Sequence, residues 1–456
     1  MARTTPVGEN DPTDAEAGAD ASSPRRVIPA PSDGADAPAD TEDGAAEAEP
    51  HPTDADRGSA FGALASKPFA RYWPALTLSL TGVWVRITVI GYLVYELTDD
   101  EFKLGLISFA QAAPVLVAAP IAGALLDRID RRRVLLAVSL VNLVAMVAVG
   151  TLVLTDAIRY WHLVVAAIVT GTASGFDWPA RLSLVPSLVP RHRLQSAVAL
   201  NAAAFNGSRI IGPMIGGFLA AWAGLALPFF FTAAAYVPFA IILLTMGVAT
   251  AAKGGERGSP LANLMAGYRY IWRTPTIRGL LSVDVVPLAL GVSYFTMAPA
   301  IVRDVLGLGE RGLGLLLAAN GIGSLAGTLL VALVAGARRR GRIVVVGVAC
   351  FGVMLIAFAS SSNLYLSLVL ILGLGLVVST YATMNDTLVQ SLVDDAYRGR
   401  VLSVYTMLWG LTPIGGLEAG FLADYVGVQR ALAFNGLLVL AYVPVLWFLT
   451  PLRHID

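Results

Sequence analysis

The chain has 456 residues, 56% of them hydrophobic and 14% charged, where an ordinary soluble domain carries roughly a quarter charged residues. A mean hydropathy of +0.68 excludes a soluble enzyme and a fibrous chain alike, and it puts the bulk of the polypeptide in lipid. The lone cysteine, Cys350, excludes a disulfide framework, a multi-cysteine zinc site and an iron–sulfur cluster.

A net charge of zero conceals a strong asymmetry. Residues 1–60 hold 14 acidic and 4 basic residues, leaving 18 acidic and 28 basic for the remainder. The leading segment, 1–62, is rich in Ala, Asp, Glu, Pro and Thr and nearly devoid of aromatics. It cannot bury enough apolar surface to offset its ordering entropy, so it is expected to be a disordered, solvating tail. It lacks the basic and apolar regions of a secretory signal and is too acidic for a mitochondrial leader, so the N-terminus is expected to stay in the cytoplasm.

A helix needs about 20 mostly apolar residues to cross a bilayer. Such runs lie near residues 73–97, 103–126, 134–155, 161–183, 195–221 and 227–249, and again near 279–302, 312–336, 343–361, 364–388, 400–423 and 431–450. They lack the ten-residue alternation of barrel strands. The fold class is therefore an all-α membrane protein of twelve spans, with an N-terminal six-helix lobe (63–250), a polar linker (251–278) and a C-terminal six-helix lobe (279–456). Alternate loops hold 18 and 5 Lys or Arg residues, and the basic set belongs on the cytoplasmic side. Both termini and the linker are expected there, in a plasma membrane.

The halves repeat. Gly217 to Gly224 reads GFLAAWAG and Gly420 to Gly427 reads GFLADYVG, at an offset of 203 residues; Ser187-Leu188-Val189 and Ser391-Leu392-Val393 match at 204. Two parallel six-helix lobes with a site between them is the architecture this implies.

After the second run come Gly123, Asp127, Arg128, Asp130, Arg131, Arg132 and Arg133. This resembles the cytoplasmic-loop signature of the major facilitator superfamily, with Asp130 where the family usually has Gly. The fifth run carries Gly212, Pro213, Gly216 and Gly217, which resembles the superfamily's antiporter signature. Trp84-Val85-Arg86, Tyr92 to Thr98, and Asn206 to Pro213 are similar to the enterobactin-exporter and macrolide-efflux branch. The resemblance covers about residues 65–450. It implies alternating access, a cytoplasmic gate at Asp127, Arg128 and Arg131, and a cavity lined by the first, fourth, seventh and tenth spans. The fourth span lacks the superfamily's usual mid-membrane Arg, and the loop after the eighth keeps the basic cluster without the Asp.

Ionisable side chains deep in lipid are costly, so they face cavities or pair with one another. Arg86, Arg209, Asp284 and Glu418 lie within spans, and Asp177 lies near the end of the fourth. Asp284 is the first choice for proton coupling, with Arg86 setting its proton affinity or binding an anionic substrate. The antiporter-like glycines read equally as helix packing. Trp84, Tyr92, Tyr294, Tyr381 and Asn385, with Trp178, Phe295 and Trp409 beside them, are candidate contacts for a bulky amphipathic solute.

There is no Gly-Lys-Ser/Thr phosphate loop, and His51, His162, His192 and His454 are scattered. No ATP site, cofactor, metal or nucleic-acid partner is expected. The partners expected are a small-molecule substrate, protons and the lipid bilayer, with the protein acting as a monomer. The reading is a proton-coupled exporter of a drug, siderophore or metabolite; an uptake carrier is the alternative, and a transport-inactive receptor or scaffold ranks below it.

Overall fold

The computed structural model describes residues 61–126, 129–246, 260–333, 339–394 and 397–455. The acidic tail, with the disorder expected of it, lies outside them, as do Asp127 and Arg128. Among the described residues there is no strand. The twelve spans are Lys67–Thr98, Glu101–Leu126, Arg131–Leu154, Tyr160–Leu184, Leu194–Ala223 and Ala226–Thr245, then Pro275–Val305, Glu310–Leu333, Arg340–Ala359, Leu364–Leu392, the broken stretch from Arg398 to Val426, and Val428–Leu449. Their ends lie within a few residues of those expected from hydropathy.

Ten of these, among the described residues, are long and apolar enough to cross a membrane by composition alone. The exceptions are the fifth, which carries Gln195, Asn201, Asn206 and Arg209, and the eleventh, which breaks into Arg398–Met407, a tighter turn at Leu408–Leu411, and Thr412–Val426. Both pack across the lobe boundary, the fifth against the eighth and the eleventh against the second. A span shielded by protein on two sides can be more polar than one bathed in lipid. The seventh span contains two π-helical turns, Pro287–Gly291 and Ile301–Val305. Pro287 and Pro299 lack the N–H that a regular helix would use, and the backbone re-registers around them. The polar linker contains a helix of its own, Pro260–Arg273.

Within the lobes the pairings mirror one another: second on fourth and third on sixth, then eighth on tenth and ninth on twelfth. The glycines show the symmetry at atomic level. A methyl group added to Gly217 would stand 2.6 Å from the carbonyl oxygen of Glu310, the first residue of the eighth span. Its repeat mate Gly420 meets the carbonyl of Glu101, the first residue of the second span. Likewise Gly314 would meet the Pro213 carbonyl at 2.7 Å, while Gly105 abuts the Gly416 carbonyl. Inside the lobes, Gly171 meets the Gln111 carbonyl as Gly375 meets that of Asn320. Two seams of bare backbone thus join the lobes at the face opposite the arginine-rich loops.

Candidate functional site

Four aromatic rings from four spans run in series across the lobe boundary. The Trp178 ring lies 5.5 Å from Phe205, Phe205 lies 5.9 Å from Trp84, and Trp84 lies 6.1 Å from Phe295, each pair edge to face. The Arg209 guanidinium sits 5.8 Å over the Trp84 ring, and its Nη2 donates to Asn320 Oδ1 at 3.3 Å across the boundary. Asn320 in turn donates to the Tyr294 hydroxyl at 3.0 Å. Edge-to-face rings with one cation make walls suited to flat, amphipathic solutes. Phe205, absent from the expected set, precedes Arg209 by one helical turn, and that spacing was its available signal.

Two buried charges lie in the lobes, one in each. Asp284, 4% exposed at the end of the first segment of the seventh span, accepts on Oδ2 from Asn385 Nδ2 at 2.8 Å and from the Tyr405 hydroxyl at 2.9 Å. Those donors come from the tenth and eleventh spans. No basic group pairs with Asp284 among the described residues. Arg86, 2% exposed, donates to Thr170 Oγ1 at 3.3 Å. The Gln111 amide, turned oxygen-inward as the facing donors require, accepts from both Arg86 Nη atoms at 3.0 and 2.9 Å. The structure therefore does not pair Arg86 with Asp284: each is solvated by neutral groups of its own lobe.

The other candidates fall elsewhere. Asp177 is tied to Arg181 by a 2.7 Å ion pair one turn along the fourth span, and Arg181 also donates to Ser79 and lies over Phe239. Glu418 accepts from Asn435 at 2.9 Å within the C-terminal lobe. Tyr294 and Tyr381, 2% and 1% exposed, pack against Phe351 in the C-terminal core. Tyr92 is half-buried near the C-terminal end of the first span. The antiporter-like residues are packing surfaces: Gly212 and Gly216 lie against the first span within the N-terminal lobe, at Trp84, Thr81 and Val85, while Pro213 and Gly217 belong to the seam with the eighth.

In the loop signature, Arg131 donates to the Ser183 carbonyl at 2.9 Å, and Arg132 donates to the Met246 carbonyl. Both bonds stay within the N-terminal lobe. Asp130 caps the third span by accepting from the Arg132 backbone at 2.9 Å, which gives the departure from glycine a physical reason. Gly123 lies near the end of the second span, and Asp127 and Arg128 lie outside the described residues.

At the opposite face a polar cluster spans the lobes. Arg303 donates to Asp99 Oδ1 at 2.8 Å and to the Tyr95 carbonyl at 3.2 Å, and its guanidinium lies 5.0 Å over the Tyr95 ring. The Tyr95 hydroxyl sits between the Asp304 and Glu101 carboxylates. Beneath it a cavity of about 70 Å³ is lined by residues of the first, second, seventh and eighth spans, including Ser108, Gln111 and Thr296.

A model of the family described as "transmembrane secretion effector" matches residues 58–456. The chain is 29% identical over 388 residues to the multidrug efflux pump Tap of Mycolicibacterium fortuitum, covering 82% of this chain and 94% of that protein. It is 25% identical to the staphyloferrin A transporter of Staphylococcus aureus (82% and 94% covered) and 22% identical to macrolide efflux protein A of Streptococcus pyogenes (85% and 97%). Among solved structures it superposes on a bacterial homologue of the human lysosomal transporter Spinster, inward-facing and unoccupied, with a TM-score of 0.65 at 15% identity over 88% of this chain and 97% of that one. The D-xylose–proton symporter gives a TM-score of 0.67 at 13% identity, covering 86% and 98%. Twelve spans in two mirrored lobes and a family match over most of the length establish that the chain belongs to the transmembrane secretion effector family of major facilitator transporters.

Proposed function

We propose that this transporter exports a bulky amphipathic small molecule from the cytoplasm in exchange for protons, as a monomer in the plasma membrane with both termini cytoplasmic. The observation that carries the reading is Asp284, a carboxyl group buried on a cavity-lining span with two neutral donors and, among the described residues, no counter-cation. Burial without a cation makes the charge costly, so exposure to water on either side of the membrane changes the balance between the proton-bound and proton-free forms. The aromatic lane supplies the surface for the solute, and Arg209 gives it a polar anchor. Outward direction is supported by the efflux pumps among the relatives, and orientation by the arginine excess in alternate loops. With the seams closed at the non-basic face, this conformation is the one that loads from the cytoplasm.

The test is accumulation of labelled drugs and siderophores in cells expressing the chain or its Asp284→Asn variant, with and without a protonophore. Proton-coupled export requires that expression lower the accumulation of at least one compound, and that both the protonophore and Asp284→Asn abolish the effect at equal membrane abundance. Raised accumulation identifies an importer, and undiminished export by Asp284→Asn removes that carboxyl group from the coupling step.

A further inference from the structure

We infer that the linker helix Pro260–Arg273 binds the headgroups of anionic phospholipids in the leaflet on the arginine-rich side, and so ties the eleventh span to the membrane's surface charge. The helix ends two residues before the seventh span begins at Pro275, so it lies at the membrane surface. Its described side chains sort onto faces with helical periodicity. Gly267 and Ile271 are buried, while Met265, Tyr268, Arg269, Trp272 and Arg273 are exposed.

The exposed face is two stripes. Met265, Tyr268 and Trp272 follow at spacings of three and four, with the Tyr268 and Trp272 rings 5.9 Å apart. Arg269 and Arg273 form a parallel stripe beside them. Arg278, exposed at the start of the seventh span, places its guanidinium 5.6 Å from the Trp272 ring. Exposed Trp and Tyr flanked by arginines match an interfacial helix, whose rings enter the acyl boundary while the guanidiniums meet phosphate. A soluble protein partner would leave these rings without the half-polar boundary that Trp and Tyr favour, and the three guanidiniums specify an anion.

The opposite face grips the eleventh span. A methyl group on Gly267 would stand 2.7 Å from the Arg400 carbonyl oxygen. The Tyr270 ring stacks on Tyr397 at 4.6 Å, and its hydroxyl donates to Asp394 Oδ2 at 3.1 Å. The Arg400 guanidinium lies 5.6 Å over the Tyr397 ring. Whatever holds this helix on the membrane therefore holds the basic end of a span whose other end forms one of the two seams.

The inference is independent of cargo and coupling ion, and its test needs neither. Full-length protein is placed in nanodiscs of phosphatidylcholine alone or with three-tenths phosphatidylglycerol, and amide hydrogen exchange is followed across residues 265–273. Phosphatidylglycerol is expected to slow exchange there on the order of tenfold. The combined R269Q, R273Q and R278Q variant is expected to exchange at the phosphatidylcholine rate in both discs, while the corresponding Arg→Lys variant retains the slowing. Unchanged exchange in the span interiors reports that the variants fold. Equal exchange of the wild-type helix in both discs overturns the inference, as does slowing that survives the Gln variant. Slowing produced by glycerol 3-phosphate in phosphatidylcholine discs overturns the assignment to lipid.

Discussion

Arg303 bridges the lobes at the face opposite the arginine-rich loops with three interactions, and removing them should open that face. In Arg303→Ala the ion pair to Asp99 goes first; its side chains are 37% and 72% exposed, so it contributes about 0.5 kcal/mol. The guanidinium over Tyr95 contributes roughly 0.5–1 kcal/mol at such a partly exposed site, and the bond to the Tyr95 carbonyl about 1 kcal/mol. Together the loss is near 2 kcal/mol, which shifts the ratio of outward-open to closed molecules by about 30-fold. The shift is readable with a cysteine in the small cavity near the cluster. In a Cys350→Ser background, Ser108→Cys places a near-isosteric thiol on the lining of that cavity, and a membrane-impermeant maleimide added on the side opposite the arginine-rich loops reports how far that face opens. Adding Arg303→Ala should raise the labelling rate about 30-fold, and Arg303→Lys, which keeps the charge but loses the fork, should fall between. A rate within twofold of the parent, at equal membrane abundance, refutes the reasoning.

Further predictions concern the seam and the cap. Gly217→Val inserts a branched side chain where the first carbon already meets backbone at 2.6 Å, so transport should fall at least tenfold with normal abundance; Gly207→Ala, at a helical glycine with nothing within 4 Å, should transport as the parent does. Asp130→Ala removes the cap of the third span and should cost about 1 kcal/mol in thermal stability, whereas Asp130→Gly, the residue usual in the family, should cost only a few tenths; equal losses by melting-curve fluorescence would place the effect of Asp130 outside the cap.

Ten of the spans were legible because each is a continuous apolar run, a signal that needs no knowledge of neighbours, and the more polar fifth and eleventh were placed by the count and the repeat around them. The repeat was legible at Gly217 and Gly420, and the structure places both at equivalent backbone contacts. Asp284 stood out because a carboxylate in lipid is expensive wherever it points. What pairs with it was not legible: Tyr405 and Asn385 reach it from spans more than 100 residues away. The direction a ring faces was also hidden. A span apolar on all sides has no amphipathic stripe to mark its inner face, so Trp84 and Tyr294 looked alike in sequence, although one lines the boundary and the other fills a core. The linker helix escaped for the opposite reason: its alternating arginines and aromatics interrupt any hydropathy window, and its helical period shows only when the two stripes are resolved.

The paired glycine–carbonyl contacts have a consequence for speed. Interdigitated side chains would have to be withdrawn from their sockets, and each would leave a void to be refilled before the lobes could part. Gly217 against Glu310 and Gly420 against Glu101 set backbone on backbone, so the tightest point of each seam empties no socket as it parts, while the Phe102–Phe421 ring pair and the Phe102 N–H bond to Asp424 beside the second have to let go. Because the two contacts are copies related by the internal repeat, a rigid rotation about the axis between them lengthens both alike, and neither acts as the last to yield. The closure opposite the arginine-rich loops thus rests on two matched backbone contacts and on the Arg303 cluster rather than on deep interdigitation.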